Sequence, residues 1–327
     1  MMQRLSLRTR AILGARIRER RLRPANVSGV RVLTYHGLVD TKRDPYLERN
    51  FHTVEQFRSH IHILRRQRVV PVEDVVEAAK SASKLTVAIT FDDGYKNNQI
   101  AAELLAAAHL PWALYVSTGA IGGDSTIWTA QLGLLLLHGH AASIEAFGRE
   151  WDLSDRAHQL ESFQAVRNAA KRLSQADRIR FLDDLVTQFD DGEEERLIAA
   201  FPQFQMLNWD DLRSMAASGT TIGSHGVNHE IHHADQPTPV IESELSGSQS
   251  MLRSQLRVAS TTLAYPNGNW TDRSRRVAEQ LGYRTAFTTV DDVVRGDADP
   301  FSLPRLAALG NEVAFTRSLL SGRTSGR

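Results

Sequence analysis

The 327-residue sequence contains no cysteine, and this absence removes several kinds of protein from consideration. Disulfide-stabilised scaffolds, thiolate metal sites and cysteine nucleophiles all depend on the missing side chain. Any metal ion bound by this chain must therefore be held by His, Asp or Glu side chains.

The sequence also lacks a long apolar segment. A membrane-spanning helix needs about 20 mostly apolar residues in succession, and the longest candidate, 132–137, is far shorter. Apolar residues make up 42% and charged residues 24% of the chain, as in an ordinary globular protein. This composition excludes a disordered chain, a collagen-like fibre and a coiled-coil rod.

Positive charge is concentrated at the N-terminus. Residues 1–24 contain eight arginines and one glutamate, which gives this segment a net charge of +7. Because the whole chain has a net charge of +1, the remaining residues have a net charge of −6. We therefore predict no nucleic-acid partner. Arginines interrupt every apolar run here, so the pattern is not that of a secretory signal. Two interpretations of 1–27 stay open, a basic tail and an amphipathic helix whose residues 1–24 contact an anionic membrane surface. The expected location is cytoplasmic or inner-membrane-associated, with export as the alternative.

From residue 28 onward, apolar runs of strand length alternate with segments of helical periodicity. This alternation is typical of an α/β fold with a parallel sheet. The main predicted strands are 30–35, 85–91, 112–117, 220–224, 261–265 and 283–288, and the main predicted helices are 54–68, 97–109, 209–218, 240–255 and 273–281. The stretch from about 130 to 205 interrupts this alternation of strands and helices, and we interpret it as an all-helical insertion without a strand.

Polar motifs follow three of the predicted strands. The first is Thr-Phe-Asp-Asp-Gly-Tyr at 90–95, the second Gly-Ser-His-Gly-Val-Asn-His at 223–229, and the third Ala-Tyr-Pro-Asn-Gly at 264–268. In α/β sheets, ligands bind beyond the carboxyl ends of the strands. Taken singly, each motif has an ordinary structural interpretation: a turn for the first and third, and surface or core histidines for the second.

The segment 229–233 also matches His-Glu-x-x-His, the zinc-peptidase signature. That signature requires one long helix, whereas Gly226 precedes the segment and Pro237 follows closely. We therefore reject a peptidase.

In this order, each at a strand end, the three motifs resemble the polysaccharide deacetylase family, the NodB-homology group also known as carbohydrate esterase family 4. The resemblance covers roughly residues 28–310 and includes Tyr35-His36 and the segment 209–212. It implies one catalytic domain over 28–327 with a distorted (β/α)7-type barrel fold. It also implies a metal-dependent N-deacetylase of an N-acetylated sugar, usually N-acetylglucosamine in a polymer.

Site residues carry over from the family motifs position by position. Asp92 matches the general base, and Asp93, His225 and His229 match the metal ligands. This ligand set suits one divalent ion, with zinc favoured and cobalt, nickel or manganese as alternatives. The turn at Tyr95 is the candidate oxyanion donor, and the candidate substrate-binding residues are Trp128, Tyr265 and Pro266.

The sequence departs from the family pattern in three places. The usual C-terminal Leu-x-His, which supplies the general acid, is absent, since no histidine follows His233. We propose His36 as the acid, the alternative being a structural histidine that closes the first strand. The arginine that usually precedes the third motif is also missing. Arg305 is the candidate to orient the base, the alternative being a plain ion pair. Gly226 stands where the family usually has Ser or Thr, which removes one support of the turn between His225 and His229, which we call the histidine turn.

The expected substrate is an acetylated glycan or a lipid-linked sugar, in cell-envelope or exopolysaccharide synthesis. Two alternatives remain. The same barrel could hydrolyse a cyclic amide or another C–N bond, or the chain could be an inactive carbohydrate-binding homologue.

Overall fold

Seven parallel strands form the barrel of the computed structural model, which describes residues 28–123, 126–257 and 259–320. The barrel and flanking strands are β1 Gly29–Tyr35, β2 Leu38–Val39, β3 His52–Thr53, β4 Arg68–Val69, β5 Leu85–Phe91, β6 Ala113–Val116, β9 Thr221–Ser224, β10 Thr262–Ala264, β11 Thr285–Phe287 and β12 Leu306–Ala307. The order of the seven strands in the barrel is β11, β10, β9, β6, β5, β1, β12, and β4 pairs with the start of β5. The predicted distorted barrel is confirmed.

The central strands β1 and β5 are nearly continuous apolar runs because both of their faces are covered. They pair in parallel from Gly29–Leu85 to Tyr35–Phe91, so their carboxyl ends finish at the same level.

The segment 303–307 closes the barrel. Leu303 pairs with Phe287 of β11, and three residues later Leu306 pairs with Leu33 of β1. The two edges of the sheet are therefore joined through one short stretch of chain, which also carries Arg305.

Helices cover the outside of the sheet and pack their apolar faces on it. The helices are α1 Val54–Leu64, α2 Val75–Ser81, α3 Asn98–Ala108, α4 Trp128–His138, α5 Arg156–Ala170, α6 Gln175–Val186, α7 Glu193–Ala200, α8 Trp209–Ala217, α9 Thr238–Leu256, α10 Asp272–Gln280 and α11 Glu312–Leu320. Capping boxes at Thr53, Asn208 and Thr271 begin α1, α8 and α10. Among the described residues, no helix is long and apolar enough to span a membrane.

The insertion between β6 and α8 contains α4 to α7, as predicted, but the prediction that it lacks strands is wrong. An antiparallel hairpin, β7 Ser143–Ala146 and β8 Arg149–Asp152, lies between α4 and α5. Its two-residue turn places Phe147 and Gly148 at φ angles of 55° and 75°. Such turns usually carry Asn-Gly or Asp-Gly. Because Phe147 occupies the first turn position, the sequence shows no signal of a hairpin here. The predicted basic segment 1–27 lies outside the described residues.

Candidate active site

The polar motifs meet at one rim of the barrel because the strands that carry them are parallel neighbours. Asp92 and Asp93 follow β5, His225 follows β9, and His36 follows β1. Two ladders continue one residue beyond their strands, through Asp92 N–H to Tyr35 O at 3.0 Å and His225 N–H to Val116 O at 2.9 Å. These hydrogen bonds fix the backbone positions of Asp92 and His225 at the rim.

A left-handed turn brings both carboxylates to the same side. Consecutive residues of a strand point to opposite faces, but Asp93 has a φ of 78° and Gly94 a φ of 95°. His229, on the second motif, also lies at a positive φ of 52°. Such conformations cost a non-glycine residue roughly 1–3 kcal/mol and persist where the surroundings impose them. Two of the six described non-glycine residues with a positive φ, Asp93 and His229, thus belong to this site.

Asp93, His225 and His229 form a group whose ligand atoms all lie within 4.8 Å of one another. The Nε2 atoms of both histidines lie 3.5 Å from Asp93 Oδ1. Three ligands at about 2.1 Å from a tetrahedral zinc ion stand roughly 3.4 Å apart. Asp93 Oδ1 is buried and has no hydrogen-bond partner among the described residues. A buried carboxylate oxygen facing two imidazole nitrogens fits a divalent cation in donor type and spacing.

Neighbouring groups hold the two histidines. Nδ1–H of His225 donates to Ala264 O at 2.7 Å, which leaves its Nε2 lone pair free to face Asp93. Nε1–H of Trp128 donates to the backbone oxygen of His229 at 3.2 Å. The guanidinium of Arg178 lies over the Trp128 ring, 5.0 Å from its centroid.

Glu244, which the sequence analysis missed, supports the histidine turn. It is buried on α9, and its Oε2 accepts from the N–H groups of Val227 and Asn228, both at 2.9 Å. Its Oε1 accepts from the side-chain amides of Asn228 and Gln175 at 2.7 Å. Gly226 has a φ of 77°, and a Cβ there would lie 2.9 Å from Glu244 Oε2. The glycine thus makes room for a carboxylate that replaces the support of the usual Ser or Thr.

Arg305 binds Asp92 through two hydrogen bonds of 2.7 Å, one to each carboxylate oxygen. Both side chains are buried, and Nε of Arg305 also donates to Thr288 O at 2.9 Å. Burial alone would raise the pKa of Asp92, but the charges of Arg305 and His225 outweigh it and lower that pKa below its usual value. The contact expected between Arg305 and the candidate base is therefore present.

His36 is half-buried and lines the same cleft as Asp92, Asp93 and both ligand histidines. Its backbone oxygen accepts a hydrogen bond of 2.6 Å from the Asn98 side chain, which fixes the start of the loop after β1. This position allows its imidazole to face a group bound at the carboxylates.

The predicted aromatic residues differ in their placement. Tyr95 lines the cleft, and burial followed by the charge of Asp93 raises the pKa of its hydroxyl well above the usual value. Tyr265 is fully buried and donates to Phe301 O at 3.2 Å, and Trp128 is 6% exposed. Tyr265, Trp128 and Pro266 are buried and do not line the cleft that contains Asp92 and Asp93. Their role in substrate binding stays a prediction. Tyr46, 44% exposed and on the cleft wall, is the aromatic residue that the sequence analysis missed.

The peptidase-like segment 229–233 forms no helix. Glu230 is buried in an ion pair with Arg178 and also accepts from Gln236. His232 is buried, and His233 Nε2 contacts Lys171 O at 2.5 Å. Only His229 of this segment belongs to the ligand group, so the rejection of a peptidase site agrees with the structure.

Comparison with known proteins supports the resemblance seen in the motifs. Residues 183–286 match the sequence model of the polysaccharide deacetylase family. A segment of 100 residues, 31% of this chain, is 25% identical to YxkH of Bacillus subtilis (strain 168), which is named as a polysaccharide deacetylase. That match spans 36% of the length of YxkH, about a third.

Solved structures share the fold over almost the whole chain. The Streptococcus pyogenes deacetylase PplD, solved in complex with acetate, superposes with a TM-score of 0.57 at 16% identity, over 90% of this chain and 99% of that one. IcaB from Ammonifex degensii gives 0.57 at 15% identity, over 90% and 98%. A de-N-acetylase from Aggregatibacter actinomycetemcomitans gives 0.53 at 15%, over 89% and 99%. The predicted fold and the resemblance to this family are confirmed.

Proposed function

From the polysaccharide deacetylase sequence match and fold, we propose that this chain is a metal-dependent hydrolase that removes the acetyl group from an N-acetylated sugar. One observation carries the proposal: the group of Asp93, His225 and His229 lies in the same cleft as Asp92, which is bound by Arg305 at 2.7 Å. A ligand group beside an oriented carboxylate is the arrangement that amide hydrolysis by water requires.

Asp93, His225 and His229 would hold the cation. When bound, a divalent ion supplies Lewis acidity, which polarises an acetamide carbonyl and makes a water molecule more acidic. Two imidazoles and one carboxylate suit zinc, with positions left open for water and substrate.

Asp92 is the proposed general base. Arg305 keeps it ionised and fixes its plane, and each carboxylate oxygen retains a second lone pair that can accept the proton of the attacking water. The charge of Arg305 also stabilises the carboxylate against burial, so that Asp92 is in the basic form before substrate arrives.

The backbone N–H of Tyr95 is the proposed oxyanion donor. Its neighbours Gly94 and Lys96 donate to Asp92 O and Gln205 O, whereas the Tyr95 N–H has no acceptor among the described residues. A free N–H at the cleft wall can stabilise the negative oxygen of a tetrahedral intermediate. The amine that leaves needs a proton, and we assign its delivery to His36.

The enclosed part of the cleft measures about 130 Å³. This volume does not separate a sugar from a small cyclic amide, and the match to polysaccharide deacetylases favours the sugar. We infer that the acetamido group of an N-acetylglucosamine-type glycan is the reacting group.

The test is acetate release from N-acetylglucosamine oligomers by the purified protein, after chelation and after addition of single divalent metals. We expect the wild-type protein to lose acetate release after chelation and to regain it when zinc is added. We expect Asp92→Asn to release no acetate under either condition. A wild-type protein that binds one metal ion tightly and releases no acetate from any acetamido sugar would overturn the proposal.

A further inference from the structure

Three cationic side chains line the cleft. Arg49 comes from the loop between β2 and β3, and Arg167 and Lys171 lie four residues apart at the C-terminal end of α5, on one face of the helix. None of the three has a carboxylate within ion-pair distance among the residues that the structure describes. They form a group that we call the cationic wall.

Three arginines of the insertion are paired with carboxylates. Arg156 binds Asp44, Arg178 binds Glu230, and Arg180 binds Asp177. The arginines of the insertion that lie outside the cleft and lack a carboxylate partner among the described residues are solvent-exposed; they are Arg149, Arg172 and Arg196. Arg167 and Lys171, by contrast, are half-buried in the cleft.

Mutual repulsion and burial make the cationic wall costly in the free protein. Burial, and then the charges of Arg167 and Arg49, lower the pKa of Lys171 to about 8. Burial and the charge of Arg49 also lower the pKa of Arg167. A bound anion would relieve this repulsion, because it supplies the charge that the described residues do not.

The cationic wall is connected to the catalytic loops. Nζ of Lys171 donates to the side chain of Asn267 at 2.6 Å, on the turn that follows Pro266. Arg167, Lys171 and Asn267 line the same cleft as Asp92 and Asp93. One ligand can thus reach the carboxylates with one part and the cations with another.

We propose that the substrate is an acetamido sugar that also carries an oxyanion group, a phosphate or a carboxylate, and that Arg49, Arg167 and Lys171 bind that group. The inference rests on the proposed deacetylase function and adds a charge requirement to it. Guanidinium groups pair with phosphate or carboxylate oxygens through two parallel hydrogen bonds. A neutral glycan offers these three side chains no partner of opposite charge.

Binding to the full-length Asp92→Asn protein, measured by calorimetry, tests the inference independently of turnover. The probes are N-acetylglucosamine, its 1-phosphate, its 6-phosphate and N-acetylmuramic acid. We expect at least one anionic probe to bind about tenfold or more tighter than the neutral sugar, with an advantage that shrinks as salt rises. The phosphate and carboxylate probes distinguish the two sources of the charge.

Variants separate the cationic wall from general surface charge. Arg167→Gln and Lys171→Gln should each remove most of the advantage of the anionic probe. Arg172→Gln is the matched control, since Arg172 is exposed, adjacent in sequence and not part of the cleft lining. Equal binding of neutral and anionic probes, or an equal loss in Arg172→Gln, would overturn the inference.

Acetate release by the wild-type protein distinguishes this inference from the function on which it rests. Equal turnover of neutral and anionic sugars, unchanged in the Arg167 and Lys171 variants, would refute the charge requirement and leave the deacetylase function standing. Absence of turnover with every sugar, while the anionic probes still bind through the cationic wall, would refute the deacetylase function alone.

Discussion

Glu244 offers a direct test of how the protein positions its candidate metal ligands. Two variants isolate the effect. Glu244→Gln keeps one oxygen that can accept from the N–H groups of Val227 and Asn228, while the amides of Asn228 and Gln175 can turn to accept from the new NH₂ group. Glu244→Met keeps the length of the side chain but offers no such acceptor.

The magnitude follows from the contacts that are lost. In Glu244→Met, two backbone N–H groups of the histidine turn lose acceptors at 2.9 Å in a buried setting. Each unsatisfied buried donor costs about 1–3 kcal/mol, so we expect a loss of about 2–6 kcal/mol in the free energy of unfolding. Supports of this kind typically contribute 10- to 100-fold to metal affinity. We expect a comparable loss for zinc in Glu244→Met and a smaller one in Glu244→Gln.

The measurements are urea unfolding and zinc affinity by competition with a chromogenic chelator. Glu242→Gln serves as the control because Glu242 is exposed on the same helix. Zinc affinity within twofold of wild type in a folded Glu244→Met protein would refute the idea that Glu244 holds the histidine turn.

Three further predictions concern Asp92, His36 and the core. Arg305→Met leaves the buried Asp92 carboxylate without its partner, so we expect a loss of about 3–5 kcal/mol in the free energy of unfolding. Adding Asp92→Asn to this variant should restore part of that free energy. If urea unfolding shows no such recovery, the ion pair of Arg305 with Asp92 does not contribute to stability in this way. His36→Ala should lower the rate of acetate release about 10²- to 10⁴-fold with unchanged metal content, and full turnover would eliminate His36 as the acid. His60 is fully buried and stacked on Phe315 at 3.8 Å, and burial lowers its pKa to about 3. Because the unfolded chain takes up the proton below about pH 6.5 and the folded chain does not, stability should fall as pH drops from 6.5 toward 3, by about 2 kcal/mol at pH 5. An identical urea-unfolding pH profile in His60→Phe would contradict this assignment.

The strand ends and the ligand group were predictable because they depend on local patterns in a fixed order. Apolar runs such as β5 define buried strands, and the residues directly after a parallel strand must lie at the common rim. Asp92, Asp93, His225 and His229 follow from that rule and from the family motifs. The contact of Arg305 with Asp92, 213 residues apart in sequence, was expected only because the family pattern lacked an arginine elsewhere.

Contacts that arise from packing were not predictable. Glu244 looks like one more polar residue of an amphipathic helix, and only the fold places it under the histidine turn. Tyr265 and Trp128 follow or begin elements near the site, but neighbouring chain covers their rings. The hairpin turn at Phe147 lacks the usual Asn or Asp, so tertiary contacts rather than local preference form it.

Closure of the barrel by 303–307 ties the environment of the candidate base to the completeness of folding. This segment joins β11 to β1 and carries Arg305 to Asp92. A nascent chain that has emerged from the ribosome only as far as β11 already contains His36, both aspartates and both ligand histidines, but its base has no cationic partner. Asp92 should therefore reach its final environment only after β12 has paired with β1 and the barrel is closed.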